Sequence, residues 1–564
     1  MSVPKWGGRD CELSSTGIDA DGNTIDSWTV TREILGCMEP ALASHQVRVW
    51  SGDVRWTQGS GYGSGYGYRA NDGGYGGYGG YGYASGVSVY SRDCLRHWTA
   101  GGQCYYSDMG HVECCTAATK TPREFAAQCV STLLAAEAAR RLAEQQGTPG
   151  TCYALTTANT DALDPAISFG THLSMSIEKW LWEDLLVESR HPALFGFVTS
   201  ALAAAIPFFG AGYLMPLKDG SVVYSLSGRA HHLTKMKTLS TTEAFNRGLL
   251  NSRREPHGVD QERLHLIGFD FCVLSAAILF SFLQCVLAAA EEGYCGMVLY
   301  DPLRALRTWS WRIDLQTGRL PATALLIDGR HLTLPAYLGE LATVLLRMCE
   351  QGLITEEVAP QARQLLPLVV DLARHAEEGA LMPCAKHLSW ASKLLWLTQL
   401  CEQSGGCLAD AEIRLADHDF GHTDPRQGTL WQLWEEGLVD PLISLDDARA
   451  RLAEGPAESR DWVRGRILDK FYDFVSDVDW SYVDLTSGED RWSPRLRIDL
   501  SRLDRCNKAQ FAGLIDAAAN PAHLGQLLNA QADGATRRTD PMDDIPRHLA
   551  QVQHVGMGVP STDA

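Results

Sequence analysis

The sequence is short of positive charge. Its 49 Lys and Arg residues stand against 68 Asp and Glu residues, which gives a formal net charge of −19. Nucleic acids and anionic membrane surfaces attract basic proteins, so this balance argues against either as the main partner. Residues Met1–Asp10 are polar and lack the apolar stretch of a signal peptide. We therefore expect a cytoplasmic protein.

Several common functional motifs are missing as well. The sequence has no G-x-x-x-x-G-K-[ST] loop, no H-E-x-x-H, no G-x-S-x-G elbow and no G-x-G-x-x-G at the end of a predicted strand. Nucleotide binding would therefore need a platform other than a P-loop or a Rossmann fold. The 16 cysteines include no C-x-x-C pair. This spacing argues against a zinc ribbon and favours free thiols in a reducing compartment.

Long uncharged runs are limited to two, Ala193–Leu217 and Phe271–Ala290. Each is long enough to cross a bilayer, so a membrane span is one alternative. Gly196 and Pro207 interrupt the first run and favour a broken element or a pair of strands. Ser281 adds polarity to the second run. Both runs also suit elements that are buried in a large core, and a buried helix is the prediction for the second.

The length predicts one large domain with one or two small ones. We place the large domain at residues 1–405, because Gly405-Gly406 marks a plausible boundary, and a small C-terminal domain at 406–500. Residues 501–564 form a C-terminal extension with a tail that is predicted to be disordered beyond about residue 533. Gln58–Gly86 is almost entirely Gly and Tyr and is predicted to be a mobile insertion loop.

Periodicity predicts the main elements of the large domain. Strands are expected over Trp6–Ser15 and Gln103–Ser107. The sequence Thr121…Glu124 has the form of a capping box, which predicts a helix that runs to about Gln146. Further helices are predicted over Ser27–Ala43, from after His172 to about Ser189, and over Pro335–Gln351, Glu356–Glu378, Cys384–Glu402 and Ser444–Glu454.

The stretch Cys104–Thr116 carries the richest chemistry. Tyr106 and Asp108 are two residues apart, so on a strand both side chains point to one face. Gly110 allows a bend, after which Glu113 brings a second carboxylate back nearby. Such a set can hold a hard cation and leave one group as a base. The alternative is an ordinary strand with a polar turn.

Two other stretches add candidate groups. Asp10 and Glu12 alternate onto one face of the first predicted strand, which suggests metal binding unless that face is a solvent-exposed edge. Arg263 and His265 likewise share one face of a strand. The surrounding segment 227–266 is rich in arginine, whose guanidinium binds phosphate oxygens in pairs, although a surface charge run is the alternative.

The order of these motifs resembles the Pup ligase and Pup deamidase/depupylase family, which is related to glutamine synthetase and other carboxylate–amine ligases. Asp10–Ser14 stands where that family has Glu-x-Glu-Tyr/Phe-Gly. Gly102–Cys114 resembles its Gly-Ala-Arg-x-Tyr-x-Asp…His-Pro-Glu-Tyr motif. Further similar segments are Phe169–Met175, Ser227–Ala230, Asn251–His257, Arg263–Asp270, Trp462–Arg466 and Trp480. Together they cover about residues 7–490.

The resemblance implies an α+β, glutamine-synthetase-like fold: a large antiparallel sheet with a concave active-site face, backed by helices, plus a small C-terminal domain. It implies ATP and Mg²⁺ as cofactors, with a Pup-like protein tag and its conjugated targets as partners. Asp108 is implied as the catalytic base or nucleophile at a γ-glutamyl carbonyl. The implied metal-site residues are Asp10, Glu12, Tyr106, Glu113, His172 and His265, and the implied ATP contacts are Cys104, Thr116, Arg229, Arg247, Arg253 and Trp480.

Details of the resemblance favour a deamidase/depupylase over a ligase. Two residues separate Asp108 from His111, as in the depupylase branch, and the insertion ahead of the motif lies where that branch carries a loop. The chain also departs from the family, with Cys104 in place of an arginine. Other departures are Leu173, Ser174, Phe269 and Cys272. The alternatives are a Pup–protein ligase and a divergent, catalytically weak paralogue.

A different class of function is a zinc-binding or scaffold protein. Its ligands would be His111, Cys114 and Cys115, together with the cluster Asp417-His418-Asp419…His422. Thiolates and imidazoles favour zinc. For the second cluster, an exposed helix–loop surface is the favoured interpretation.

Overall fold

The computed structural model describes residues 3–53, 95–161, 166–241, 243, 246–256, 258–486, 495–535 and 550–553. The predicted insertion loop Gln58–Gly86 lies outside the described residues. The helices are α1 (Ser27–Gly36), α2 (Met38–Ala43), α3 (Pro122–Gln146), α4 (Lys179–Glu183), α5 (Pro192–Phe208), α6 (Ala276–Glu291), α7 (Pro302–Ser310), α8 (Leu334–Glu350), α9 (Ala359–Glu378), α10 (Leu381–Ala385), α11 (Ser389–Ser404), α12 (Ala411–Asp419), α13 (Thr429–Glu435), α14 (Leu445–Ala453), α15 (Arg460–Lys470), α16 (Lys508–Ala517) and α17 (Pro521–Ala535).

The strands in chain order are β1 (Gly7–Ile18), β2 (Thr24–Ile25), β3 (Val49–Asp53), β4 (Leu95–Thr99), β5 (Cys104–Asp108), β6 (His111–Cys115), β7 (Cys152–Thr156), β8 (Thr171–Ile177), β9 (Tyr213–Pro216), β10 (Val222–Ser225), β11 (Leu233–Thr238), β12 (Arg247–Asn251), β13 (Glu262–Leu266), β14 (Thr323–Leu325), β15 (His331–Thr333), β16 (Val475–Asp479), β17 (Tyr482–Thr486), β18 (Arg495–Asp499) and β19 (Ala550–Gln553). One large sheet has the order β11-β12-β13-β8-β1-β6-β5-β4-β3, with β2 and β7 also paired to β1. Its described pairs are antiparallel except β11–β12, so the α+β fold with a large antiparallel sheet is confirmed.

Strand β1 lies at the middle of this sheet and alternates in the way the sequence predicts. Cys11 and Leu13 are buried in the hydrophobic core. Asp10 and Glu12 point to the other face and keep some exposure. The first face packs on helices because its side chains are apolar, which leaves the polar face available for a site.

Long helices cover the apolar face of the sheet. The ring of Phe125 in α3 stacks on Phe280 of the buried helix α6, with their centres 4.4 Å apart. Strand β1 approaches α6 so closely that a Cβ added to Gly7 would lie 2.2 Å from the Phe280 ring. Glycine is therefore needed at residue 7, because any side chain would push the strand away from the helix. The predicted helices at α6, α8, α9 and α11 are confirmed.

Two local predictions are wrong. The segment after His172 is not a helix at first but strand β8, in which Leu173 and Met175 face the core and His172 and Ser174 the other face. Only a short helix α4 and a turn of π-helix, Asp184–Glu188, follow it. At the start of α3, Thr121 makes no side-chain cap, although the helix ends where predicted. The capping box predicted at Ser444 does form, with Asp447.

A second hydrophobic cluster joins the C-terminal region to one end of the large sheet. It contains side chains of α15, β17, β18 and α16, and also Trp98, Cys104 and Cys115 from the sheet. Buried side chains between Ile413 and Leu452 belong instead to the main core. The division of the chain near residue 405 stays a prediction. In the predicted disordered tail, the structure describes β19 paired with β18.

No single helix in the described ranges is long and apolar enough to cross a membrane. A bent pair, Lys179–Glu188 and Pro192–Phe208, has the required length and composition only when both halves are taken together, and a 94° bend separates them. The uncharged run Ala193–Leu217 forms α5 and then β9, so it is a helix followed by a strand. The run Phe271–Ala290 is buried, as predicted.

Asp270 holds together three loops behind the sheet. Its fully buried carboxylate accepts hydrogen bonds from the backbone N–H groups of Ala211 at 2.8 Å and of Gly228 and Arg229 at 3.0 Å, and from the Ser227 hydroxyl at 3.0 Å. Burial raises the pKa of this carboxyl group, while the four donors act in the opposite direction. The network is fully satisfied, so it fixes the loop that carries Arg229.

We expect Asp270→Ala to lower the free energy of unfolding by roughly 3–5 kcal/mol, because it leaves buried donors without an acceptor. Urea denaturation followed by circular dichroism measures this change. The control is Asp219→Ala, since Asp219 also accepts hydrogen bonds at a turn but is exposed to solvent. Equal denaturation midpoints for the two variants would contradict the structural role of Asp270.

Candidate active site

Strand register places the predicted acidic and imidazole groups side by side. Asp10 on β1 pairs with His172 on β8, and Glu12 pairs with Glu113 on β6. Glu113 in turn pairs with Tyr106 on β5. Directly paired residues in an antiparallel sheet share one face, so these five side chains line the polar side of four neighbouring strands.

A tight hairpin turn positions Asp108. Asp108 and His111 are paired across β5 and β6, so the turn consists of Met109 and Gly110 alone. Both turn residues have positive φ, 49° and 85°, as a two-residue type I′ hairpin turn requires. The Thr31 hydroxyl donates to the Gly110 carbonyl at 2.8 Å and fixes the turn against α1. Asp108 therefore sits at the last paired position before a rigid turn.

These residues form two clusters of potential cation ligands. One contains Asp10, His172 and His265, and the other contains Glu12, Asp108 and Glu113. Within each cluster the potential ligand atoms all lie within 4.8 Å of one another. In the described part of the chain these are the clusters of this kind, and neither includes the alternative zinc ligands.

Positive groups surround the Asp10 cluster. His172 Nδ1 lies 3.6 Å from Asp10 Oδ2, and an Arg263 guanidinium nitrogen lies 4.0 Å from the same oxygen. The His265 ring meets the His172 ring edge-on at 5.0 Å. Burial alone would raise the pKa of Asp10, but the charges of His172, His265 and Arg263 outweigh it and hold that pKa below its ordinary value.

In the second cluster, burial and then repulsion between carboxylates raise the pKa values of Asp108 and Glu113. Burial raises the pKa of Asp108, and the nearby charge of Glu12 raises it further. The pKa of Glu113 is raised well above its ordinary value, first by burial and then by Asp10, Glu12 and Asp108. Glu12 is held in place by the Gly170 N–H, which donates to Oε2 at 2.5 Å. Either protonation or a bound cation relieves such crowding.

The three carboxylates of the Glu12 cluster fit a hard divalent cation, and Asp10 adds a fourth carboxylate beside the imidazoles of His172 and His265. Asp10 Oδ1 and Glu113 Oε2 are buried and accept no hydrogen bond within the described residues. Carboxylate oxygens are the ligands that Mg²⁺ prefers in proteins, often together with phosphate oxygens of a substrate. The predicted metal-site residues Asp10, Glu12, Glu113, His172 and His265 are therefore brought together. Tyr106 lies beside Glu113, and burial raises its pKa well above the ordinary value, so the phenol stays protonated.

A cavity of about 360 Å³ extends over these strands. Trp480, from the loop between β16 and β17, closes one end, and Thr116 lies on the floor, where its hydroxyl accepts from the Arg9 N–H at 2.9 Å. Both are among the predicted nucleotide contacts. Other residues along the walls are Asp10, Arg96, Tyr106, Asp108, Glu113, Cys115, His172, Arg253, Arg263, His265, Arg460 and Asp461.

Three predicted nucleotide contacts do not line this cavity. Cys104 is fully buried in the second hydrophobic cluster. Arg229 is 1% exposed, and its guanidinium donates to the carbonyls of Phe169 and Ile267 at 2.7 Å. Arg247 is buried on β12. Arg253 does line the cavity, half-exposed and 3.6 Å from Glu255.

The proposed zinc ligands are not gathered either. Along β6 the side chain of Cys114 turns into the main core, whereas those of His111 and Cys115 point to the opposite face. Asp417 pairs with Lys393 at 3.0 Å, and His422 accepts the Asp424 N–H at 3.0 Å.

Three cavity arginines were missed from the sequence, Arg9, Arg96 and Arg460. Arg96 lies on β4, next to the Gly/Tyr-rich segment, in a strand that carries no motif of its own. Arg460 is fully buried beneath the cavity and donates to the Leu500 carbonyl at 3.1 Å. The only sequence signal for Arg96 is weak: it lies two positions before Trp98 and therefore on the same face of the strand.

Comparison with known proteins adds sequence and structural relatives. The Pup deamidase/depupylase of Mycolicibacterium smegmatis is 25% identical over 311 residues, which cover 54% of this chain and 59% of that protein. A Pup–protein ligase of Bifidobacterium longum is 24% identical over 428 residues, which cover 71% of this chain and 82% of the ligase. The matched region thus spans less than two thirds of the depupylase.

The fold has a close match among solved structures. It superposes on the ligase PafA, from the crystal structure of its complex with the prokaryotic ubiquitin-like protein Pup, with a TM-score of 0.69. The match covers 95% of this chain and 98% of the other at 18% identity, and it shows a shared fold. The sequence model named Pup-ligase protein matches residues 82–484, which is more than half of the chain. The chain therefore belongs to the Pup-ligase protein family.

Proposed function

We propose that this protein is an ATP- and Mg²⁺-dependent enzyme of a pupylation system that works in the cytoplasm. Its substrate is the C-terminal Gln or Glu of a Pup-like protein tag, alone or joined to a target protein. It hydrolyses the γ-glutamyl amide or isopeptide bond, as a Pup deamidase/depupylase does. The observation that carries this proposal is the position of Asp108, at the rim of a carboxylate cluster that opens into the cavity.

The choice of hydrolysis rests on the hairpin turn. Its two residues, Met109 and Gly110, give the Asp108–His111 spacing that resembles the depupylase branch. The second candidate is a Pup–protein ligase, which would join the tag to a target lysine through a γ-glutamyl phosphate. The length of the match to the Bifidobacterium longum ligase favours this alternative.

Asp108 is suited to act at the γ-glutamyl carbonyl. As a base, its carboxylate takes a proton from the attacking water, and the proton passes to the amine that leaves when the C–N bond breaks. As a nucleophile, it attacks the same carbon directly, the C–N bond breaks as the amine leaves with a proton from solvent, and water then hydrolyses the resulting anhydride. The raised pKa of Asp108 makes its carboxylate a stronger proton acceptor than an exposed aspartate. The rigid turn holds it in one place, which lowers the entropic cost of reaching the transition state.

The remaining residues bind and orient. Asp10, Glu12, Glu113, His172 and His265 would hold Mg²⁺. The metal and the nucleotide supply charge neutralisation at phosphate oxygens and activation of a carboxylate. Trp480 offers an aromatic surface at one end of the cavity. The half-exposed Arg253 offers a cation near its opening.

The direct test uses intact-mass spectrometry. A Pup-modified protein and a Pup that ends in glutamine are each incubated with this protein, ATP and Mg²⁺. We expect loss of the tag from the first and the mass gain of deamidation in the second. Unchanged masses, together with conjugation of glutamate-ended Pup to a lysine-bearing target, would establish the ligase instead. No reaction in any arm would contradict both candidates.

In the same assay we expect Asp108→Asn to lower turnover by roughly 10²–10⁴-fold, because the amide can neither accept a proton nor attack a carbonyl. The melting temperature should not fall, because the neutral amide removes one of the crowded negative charges. Asp314→Asn is the matched control, at an exposed turn far from the site in sequence. Full turnover of Asp108→Asn with an unchanged melting curve would remove Asp108 from the mechanism.

Glu113→Gln should weaken Mg²⁺-dependent nucleotide binding by about tenfold or more, because it removes a charged ligand oxygen. Isothermal titration of ATP at a series of Mg²⁺ concentrations measures this. The control Glu255→Gln removes a carboxylate that lines the same cavity but belongs to neither cluster. If both variants responded to Mg²⁺ like the wild type, the Glu113 cluster would not be a metal site.

A further inference from the structure

Arg96 lines the cavity, although it belongs to none of the family motifs. It lies on β4, one residue along from His97, which pairs with Tyr105 on β5, so Arg96 stands opposite Tyr106. Residues paired in this way share a face, which here is the face of the carboxylate clusters. The guanidinium thus lies beside the proposed metal site and lines the cavity.

The contacts of Arg96 place its guanidinium between two aromatic rings of the cavity. The guanidinium carbon is 5.5 Å from the centre of the Tyr106 ring and 5.9 Å from the centre of the Trp480 ring. Such cation–π contacts fix the orientation of a guanidinium without using its N–H donors. Nη1 donates to Asp479 at 3.5 Å, and the other donors remain available to a ligand that lies between Tyr106, beside the metal clusters, and Trp480.

Short side chains make room for this arrangement. Cys104 and Cys115 are paired across β5 and β6, and burial raises the pKa of both thiols, so both stay neutral beside Arg96. Cys104 itself is fully buried and carries no cation into the cavity. The resemblance places the family's arginine at residue 104. In this chain the guanidinium on that side of the cavity comes from the neighbouring strand β4 instead.

The charge of Arg96 is only weakly compensated. Its nearest carboxylate among the described residues is Asp479, at 3.5 Å, and the Asp479 side chain is 42% exposed. Water screens such a pair, so it contributes little. Arg96 Nε is buried and has no hydrogen-bond partner in the described ranges. A partly buried guanidinium with spare donors fits an anionic ligand with several oxygens.

We propose that Arg96 binds the phosphate chain of the nucleotide and so supplies the cation that Cys104 does not. This inference rests on the proposed use of ATP. The phosphate chain is the part of a nucleotide that would lie between the carboxylate clusters and the aromatic end of the cavity. Arg96 donates to its oxygens and neutralises charge there, opposite the metal.

The test compares nucleotides that differ in phosphate content. Binding of ATP, ADP and adenosine, each with Mg²⁺, is measured by isothermal titration for the wild type and for Arg96→Gln. We expect ATP and ADP to bind about 10- to 100-fold more weakly to the variant, as for the loss of a charge-assisted hydrogen bond. Adenosine affinity should be unchanged. Arg96→Lys keeps the positive charge, so its ATP affinity should fall less. This variant takes the place of Arg96→Gln in the test if Arg96→Gln does not fold.

Arg48→Gln is a matched control. Arg48 also lies over a tyrosine ring, at 5.9 Å from Tyr472, and also pairs with a carboxylate, Asp469 at 3.8 Å, but it lies outside the cavity. Equal loss of ATP and adenosine affinity in Arg96→Gln would mean that Arg96 only supports Trp480. Unchanged ATP affinity would overturn the inference and leave the proposed function standing. A wild-type protein that binds no ATP would overturn both.

Discussion

Mutual repulsion among buried carboxylates is the constraint on which this molecule depends. Glu12, Asp108 and Glu113 come from three different strands, and sheet register forces them together. Like charges at such distances are unfavourable unless a proton or a cation intervenes. The fold tolerates this cost because β1 and its neighbours are anchored by an extensive apolar face on the other side. One face of the sheet thus supplies the hydrophobic core, and the other carries the carboxylate and imidazole clusters.

Two parts of the chain line the cavity. The large sheet supplies the charged floor, whereas the C-terminal strands supply Trp480. Arg464 links the two parts, since its guanidinium carbon lies 4.6 Å from the centre of the Trp98 ring and it donates to the Trp480 carbonyl at 2.6 Å. The Trp98 and Trp480 rings meet edge-on at 4.7 Å. The second hydrophobic cluster therefore does more than stabilise the chain, because it sets the depth of the site.

The sequence predicted the structure correctly where a residue pattern is compatible with only one type of element. Asp10 and Glu12 alternate with Cys11 and Leu13, and this pattern predicts a strand with one polar face. Strand β8 alternates in the same way, although a helix was predicted from after His172, where the strand in fact continues to Ile177. The capping box predicted at Thr121 does not form, because Glu124 pairs with Arg451 at 3.1 Å instead.

Site residues whose neighbours are set by strand register could not be identified from the sequence. Arg96 meets Tyr106 only through strand pairing. Arg229, by contrast, lies in a motif, but its guanidinium donates to backbone carbonyls. No local sequence pattern distinguishes such an arginine from one whose guanidinium faces a cavity. The family resemblance pointed to Asp10, Glu12, Asp108, Glu113, His172 and His265, and the structure brings these residues together in two clusters.

The pairing of β1 has a consequence for how the protein is made. This strand pairs with β6 and with β8, and β8 in turn pairs with β13 at Glu262–Leu266. Contacts between distant segments form late, because closing a long loop costs entropy. Glu12, Asp108 and Glu113 lie on β1, β5 and β6, whereas the Asp10 cluster also needs His265 from β13. The Glu12 cluster can therefore assemble during synthesis before the chain that completes the Asp10 cluster has been made.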